Sequence, residues 1–174
     1  SIQRTAETKI ELDGKDLLEM TSDERAKTGL FVAWQNPVSI PGVSVFNLCR
    51  ASYEAMGKTI NTLTEFKKQL ETLAQVVGLT PEHIGRNVNE GFSGGEKKRL
   101  ELLQLLLLTP KLVILDEIDS GLDSKGIGVV VATVNEMKKQ GTSFILITHN
   151  KRLLEDIAVD TVWEMKHGQL QTRV

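Results

Sequence analysis

The sequence predicts an α/β protein in which a parallel-sheet core carries a helical subdomain. Three observations carry that expectation. Leu112–Leu115 and Phe144–Ile147 are short, continuous apolar runs, the pattern of interior parallel strands buried on both faces. The stretch Ser124–Lys139 between them has the length and patterning of one crossover helix, giving a βαβ unit. From Val43 to about Gly91 the pattern is mostly helical.

The remaining elements follow in chain order. Residues 8–12 (Thr-Lys-Ile-Glu-Leu) alternate and run into Asp13-Gly14, a turn signal, so they read as an exposed strand of a small antiparallel piece. Asp23-Glu24-Arg25 is polar and helical in character. Leu30-Phe31-Val32-Ala33-Trp34 reads as a short buried strand that ends at Gln35-Asn36-Pro37, with Pro37 and Pro41-Gly42 punctuating a loop. Val45, Leu48, Cys49 and Met56 share one helical face; Leu63, Phe66, Leu70, Leu73 and Val77 share another. The second stripe spans about two heptads, short of the ~3 that a coiled coil needs, so it is assigned to core packing. Gly78 and Pro81 stop it. Ser93 to Leu108 is a helix that is apolar nearly all round in its second half, hence buried. Thr161–Met165 and Gln169–Thr172 form a terminal hairpin around Lys166-His167-Gly168.

A chain of 174 residues with 40% apolar content can bury one core. The net charge of -2 gives no electrostatic reason to expect nucleic acid or an anionic membrane as a partner. The densest apolar run, Leu100–Leu108, is broken by Glu101 and Gln104 and is far below the ~18 residues of a membrane span. Ser1-Ile2-Gln3-Arg4 lacks the basic-then-apolar order of a signal peptide, so a cytosolic protein is expected. The single cysteine, Cys49, excludes a disulfide within the chain and a metal cluster held by its thiolates alone; it reads as a small buried apolar residue. The first residue is not Met, which suggests a fragment or a processed chain.

Chemistry gathers at two places. In an open parallel sheet, ligands bind beyond the carboxyl ends of the strands. Asp116 and Glu117 lie at one such end and His149 at the next. Phosphoryl transfer needs a metal near the phosphates, a group that positions the attacking water, and a contact that offsets γ-phosphate charge. Asp116 suits Mg²⁺, Glu117 the base, His149 the γ-phosphate; the plain alternative for an Asp-Glu pair is a solvated turn. Gln35, following a strand and preceding a proline loop, is placed to reach metal and water from a hinge.

The second place is Ser93-Gly94-Gly95-Glu96. Ser93 and Glu96 fit a capping box, which alone is a structural role. Gly94 and Gly95 disfavour the helix by ~1 kcal/mol each, a cost that a cap does not require. Bare glycines at a helix start let an anion reach free N–H groups at the positive end of the dipole. The turn Asp119–Asp123 either caps the following helix or reaches across a dimer.

Taken in order, Gln35, a helical insert, Phe-Ser-Gly-Gly-Glu at 92–96, Leu-Val-Ile-Leu-Asp-Glu at 112–117, Ser-Gly-Leu-Asp at 120–123 and His149 resemble ABC-type ATPases over roughly residues 8 to 172. Within that family the sequence is most similar to the SufC branch, the ATPases of iron–sulfur cluster assembly. Leu30–Pro37 with Ile40–Val43, Asn89–Arg99 including Glu96-Lys97-Lys98-Arg99, Ile114–Asp123 and Leu146–His149 carry that likeness. The resemblance implies ATP and Mg²⁺ as ligands, Suf scaffold proteins of the SufB/SufD type as partners, and a location in cytoplasm or organelle stroma. It implies a dimer in which two chains sandwich two ATP molecules, without nucleic acid or direct membrane insertion. Gln35, Asp116, Glu117 and His149 would then act in cis, Ser93, Gly94, Gly95 and Glu96 in trans, with Asp123 at the dimer seam and residues 36–60 as docking surface. It also implies one incomplete ABC domain over 1–174. Residues 36–109 would be its helical subdomain, and 1–35 and 110–174 parts of the catalytic core. No G-x-x-x-x-G-K-[ST] stretch occurs in the sequence, so the first strands and the phosphate loop of the family are expected to be missing. An ABC transporter ATPase and a non-catalytic module that uses only the Ser-Gly-Gly-Glu face stay open as alternatives.

Overall fold

The computed structural model describes residues 8–173; Ser1–Arg4, tested in the sequence for a leader pattern, lie outside them. The chain opens with a small hairpin, β1 (Glu11–Leu12) against β2 (Lys15–Asp16), turning at Asp13-Gly14. Helix α1 (Ser22–Lys27) follows, and then β3 (Leu30–Ala33). Next come β4 (Ile40–Ser44), α2 (Val45–Ala55), α3 (Leu63–Val77), α4 (Pro81–Gly85) and β5 (Asn87–Val88). The long helix α5 (Gly94–Leu108) leads into β6 (Leu112–Asp116), α6 (Ser124–Lys139), β7 (Ser143–Ile147) and α7 (Lys151–Asp156). The hairpin β8 (Val162–Lys166) and β9 (Gln169–Arg173) closes the chain.

The core sheet has the order β3-β6-β7 and is parallel throughout. Leu30 to Ala33 pair with Leu112 to Leu115, and Leu112 to Asp116 pair with Ser143 to Ile147. The βαβ unit expected from the apolar runs is present, with α6 as its crossover. Burial differs from the expectation, because one face of β7 is open: Ile145 is 42% and Ile147 48% exposed. Among the described residues β7 pairs only with β6, and its apolar residues Phe144 and Leu146 pack into the core while the alternate set faces outward. Trp34 also departs from its assignment to a buried strand. β3 ends at Ala33, and the Trp34 side chain lies largely in solvent.

The helical layer forms for legible reasons. Ser44 caps α2 and Thr62 caps α3, each hydroxyl accepting from the backbone N–H three residues on. In α3 the face Phe66, Leu70, Ala74 and Val77 is buried, and Phe66 meets the rings of Phe46 and Tyr53. Leu63, placed on that stripe by periodicity, is at the first turn and exposed instead. Cys49 is fully buried, and burial pushes its thiol up to about 12, as fits a core residue. β5, inside the stretch read as mostly helical, pairs antiparallel with β4, which begins in the segment read as a loop, and Ile40 faces Val88. Asn89 fastens it by donating Nδ2–H to the Val38 carbonyl at 2.7 Å. The Pro41-Gly42 signal hides this edge strand, where a missing N–H is tolerated.

Helix α5 is the centre of the core and packs on α2, α3 and α6. Leu100, Leu102, Leu103 and Leu105 are at most 1% exposed. No helix among the described residues is long and apolar enough to cross a membrane. In the terminal hairpin, His167 and Gly168 take positive φ of 49° and 77°, the two-residue turn that matches strand twist.

Helix α3 ends on Gly78 at φ 78°, and Arg99 of α5 donates to the Val77 carbonyl at 2.8 Å across that end. A β-carbon at Gly78 would meet the Arg99 guanidinium. Gly78→Ala is expected to cost about 1–2 kcal/mol through the left-handed backbone and the displaced guanidinium; a urea titration against the unmutated protein measures it, and an unchanged midpoint would contradict the close approach.

Candidate active site

The carboxyl ends of the three parallel strands meet at one carboxylate. The β6–β7 ladder runs one residue past β6, with the Glu117 N–H donating to the Ile147 carbonyl at 2.9 Å. The backbone of Glu117 then turns left-handed, φ 49°. That conformation is unfavourable for a side-chain-bearing residue, and held strain of this kind concentrates at functional sites. Gln35, two residues past β3, donates its Nε2–H to Glu117 Oε2 at 2.5 Å. His149, two residues past β7, places Nε2 2.5 Å from Glu117 Oε1. A carboxylate only accepts, so Nε2 carries the hydrogen in this contact. The His149 side chain is otherwise open to solvent, and Glu117 is mostly covered. A cleft of about 340 Å³ lies beside them, lined by Glu117, Asp119, Ser120, His149 and Asn150. The loop behind His149 is tied down: Thr148 donates its hydroxyl to Asp119 at 3.0 Å and accepts from the Asn150 N–H at 2.9 Å.

Asp116 ends β6 half-buried, and no hydrogen bond or ion pair engages its carboxylate among the described residues. Its charge, with those of Glu101, Asp119 and Glu117, favours the ammonium of Lys98 against the burial that lowers the Lys98 pKa. Among the described residues no group of three or more His, Cys, Asp or Glu side chains could hold a metal by itself. The donors at the rim are the Asp116 carboxylate and the Gln35 amide oxygen. Such a set fits Mg²⁺, which keeps waters and takes oxygens from a bound phosphate, and does not fit a metal caged by protein alone.

Ser93, Gly94, Gly95 and Glu96 form a separate group. The capping box is closed in both directions: Ser93 Oγ accepts from the Glu96 N–H at 3.2 Å, and Glu96 Oε2 accepts from the Ser93 N–H at 2.7 Å. The Ser93 N–H holds the Glu96 carboxyl below the usual range, with burial acting the other way. Buried His83, seated edge-on against Phe92, brings Nε2 to 3.3 Å from Glu96 Oε1. Glu96 is thus engaged by its own loop. A β-carbon at Gly94 would meet nothing within 4 Å, so the start of α5 is open to an approaching ligand. Asp123 serves as cap of α6, accepting from the Gly126 N–H at 2.7 Å, and lies 3.7 Å from the Arg99 guanidinium. None of these five residues lines the Glu117 cleft.

Three features lie outside the sequence reading. Lys98 and Glu101, one turn apart on α5, both reach the backbone of Trp34. Lys98 Nζ donates to the Trp34 carbonyl at 2.9 Å, and Glu101 Oε1 accepts from the Trp34 N–H at 3.0 Å. Lys98 is one of the charges in the run Glu96-Lys97-Lys98-Arg99, and Glu101 shows in the sequence only as an interruption of the apolar run that follows. His83 gave no signal. The triplet Gly57-Lys58-Thr59 looks like the end of a phosphate loop, but it ends a helix. Lys58 is used up by the carbonyls of Leu107 and Leu108 at 3.1 and 2.8 Å, where it closes the end of α5.

The sequence model of the family described as ABC transporter matches residues 1–120. Vegetative protein 296 of Bacillus subtilis is 44% identical over 92% of this chain and 62% of its own length. The probable ATP-dependent transporter ycf16 of Pyropia yezoensis is 46% identical over 90% of this chain and 64% of its own length. The chain therefore spans a little under two thirds of these curated relatives. Among solved structures, the ATP-binding cassette MJ0796, a dimer in a post-hydrolysis state bound to ADP and Pi, superposes with a TM-score of 0.78 at 16% identity. That match covers 93% of this chain and 71% of that one. At that identity the match establishes the α/β cassette fold.

Burial pushes the Glu101 carboxyl up to about 7, with Lys98 and the Trp34 N–H pulling it down. A folded value raised above the unfolded ~4.3 stabilises the protein fully below that unfolded value, and this contribution is lost as pH rises through about 7. Glu101→Gln removes the titration. The stability of the Gln variant relative to the unmutated protein should therefore grow between pH 4.5 and 7.5, by at most on the order of 3 kcal/mol, and level off above. Urea titrations at each pH measure it; a flat difference across that window would contradict a strained Glu101 carboxylate.

Proposed function

The chain belongs to the ABC transporter family, and we propose that it contributes two half-sites to an ATP-hydrolysing subunit that works as a two-chain nucleotide sandwich. The observation that carries this reading is Glu117, held in a left-handed backbone with one oxygen on Gln35 and the other beside His149. In this reading Glu117 is the base. It takes a proton from the attacking water as the new O–P bond forms at the γ-phosphate and the bond to the ADP oxygen breaks. Gln35 orients both the carboxylate and that water. His149, whose side chain is otherwise exposed, exchanges its contact with Glu117 for the γ-phosphate and offsets its charge. Asp116 and the Gln35 amide oxygen would hold Mg²⁺. The metal supplies charge neutralisation on the phosphates when bound.

Ser93, Gly94, Gly95 and Glu96 serve the other chain's nucleotide. The open start of α5 and its free N–H groups suit a γ-phosphate, and Glu96 keeps the Ser93 loop in shape. Their separation from the Glu117 cleft favours two half-sites over one site. The MJ0796 cassette, which shares this fold, is dimeric in its ADP- and Pi-bound state, and that supports the same arrangement here. Asp123, beside Arg99, would lie at the seam. The division into a helical subdomain over 36–109 and catalytic parts over 1–35 and 110–174 belongs to this proposal.

For the biological role we favour the Suf iron–sulfur assembly machinery, with SufB/SufD-like scaffolds as partners in cytoplasm or stroma. The Glu96-Lys97-Lys98-Arg99 run and the Leu30–Pro37 stretch support it. A transporter ATPase is the second reading. It is favoured by relatives such as the probable ABC transporter ATP-binding protein SpyM3_0208 of Streptococcus pyogenes, 44% identical over 92% of this chain.

Glu117→Gln in the full-length protein is expected to keep ATP affinity and to lower kcat by about 100-fold or more. Equilibrium binding beside steady-state hydrolysis reads both, and undiminished turnover removes Glu117 as base. Affinity purification from the native host separates the two roles: recovery of scaffold subunits supports cluster assembly, and recovery of a membrane-spanning subunit supports transport.

A further inference from the structure

The N–H and C=O of Trp34 sit just past the end of a strand ladder. Ala33 is the last residue of β3 to pair with β6, so Trp34 has no neighbouring strand to bond. Both of its backbone groups are taken by charged side chains of α5, the N–H by Glu101 and the carbonyl by Lys98. The next residue is Gln35, whose amide holds Glu117. The Trp34 side chain does not explain the arrangement, since it lies mostly in solvent.

The grip is costly. Glu101 is 7% and Lys98 4% exposed, and Glu101 Oε2 is buried with no hydrogen-bond partner. A neutral amide at 101 would satisfy the same N–H without the desolvation of a carboxylate. The two residues lie on the helix whose first turn carries Gly94 and Gly95. Seven residues from Gly94 to Glu101 span about 10 Å along a helix at 1.5 Å per residue. α5 is packed all round by leucines, and a helix so held moves as a body.

We infer that Glu101, together with Lys98, is the positioning group for Gln35: it fastens the Trp34 backbone to α5, so the contact of Gln35 with Glu117 follows the position of the helix that carries the Ser93-Gly94-Gly95 end. The inference rests on the reading of Glu117 as base and of the α5 start as the phosphate-facing end. It adds a mechanical link, within one chain, from the half-site that serves the partner's nucleotide to the half-site that serves its own.

The test compares Glu101→Met, similar in volume without an acceptor, with Glu101→Gln, which keeps one, both in the full-length protein. Two quantities are read: amide hydrogen exchange at Trp34, and kcat beside KM for ATP. In Glu101→Met, exchange at Trp34 should rise about tenfold or more while residues 102–108 stay protected. kcat should fall by about 5- to 20-fold with KM within about twofold. Glu101→Gln should restore both to within about threefold of the unmutated protein. Unchanged exchange at Trp34 in Glu101→Met overturns the grip. Raised exchange with unchanged kcat overturns its role in positioning Gln35. If Glu101→Met does not fold, Lys98→Met, read by exchange at the Gln35 amide and by kcat, decides on the same criteria. An unmutated protein without ATP turnover defeats the hydrolase reading, and the exchange measurements still judge the grip.

Discussion

Helix α5 runs through the interior with leucines along most of its length, and that burial favours internal partners for the polar groups along it, Glu101 Oε2 being left without one. Its charged residues therefore become fasteners. Lys98 and Glu101 take the backbone of Trp34, and Arg99 closes the end of α3. The last carbonyls of α5 are closed from outside by Lys58. A helix with the same polar residues on a solvent face would leave them to water. Here the hydrophobic demand for burial converts them into the links that fix the helical layer against the sheet.

The sheet supplies the second constraint. Parallel strands in the order β3-β6-β7 bring all three carboxyl ends to one rim. Gln35, Glu117 and His149 each follow a different strand by one or two residues, so a carboxylate, an amide and an imidazole that are far apart in sequence meet within hydrogen-bonding distance. Glu117 accepts a left-handed backbone to turn into that meeting point. The adjacent Asp116, in ordinary strand conformation, keeps its carboxylate unengaged. Two neighbouring acids are thereby given different surroundings, the condition under which one can bind a metal and the other move a proton.

Much of this was legible in the sequence because it depends on local pattern. The apolar runs gave β6 and β7, the helical stretch between them gave α6 with the same bounds, and Ser93-x-x-Glu96 gave a capping box that closes as written. Asp116, Glu117 and His149 could be placed at one rim because they end strands of one βαβ unit, and Gln35, read as reaching from a hinge, joins them there in the structure. What was illegible depends on non-local partners. The β4–β5 pair rests on Asn89 reaching back to Val38. The open face of β7 reflects which strands pair with it, and periodicity carries no information on that. Glu101 interrupts an apolar run, and nothing local tells whether such a charge turns outward or buries itself on a backbone N–H 67 residues away.

The separation of the two chemical groups follows from the same architecture. The Ser93 end of α5 is an opening onto helix N–H groups, whereas the Glu117 rim is an arrangement of side chains at strand ends. A single phosphate touching both would have to reach the Glu117 cleft, and that cleft contains no residue of the Ser93 loop. In the proposed reading each group, among the described residues, is chemically partial: one would offer anion-binding dipoles, the other a base and metal donors. In the proposed sandwich, a second copy of the chain and a nucleotide between would join them. The buried grip of α5 on Trp34 is then a direct route, within one chain, by which closure of one half would be felt by the base of the other.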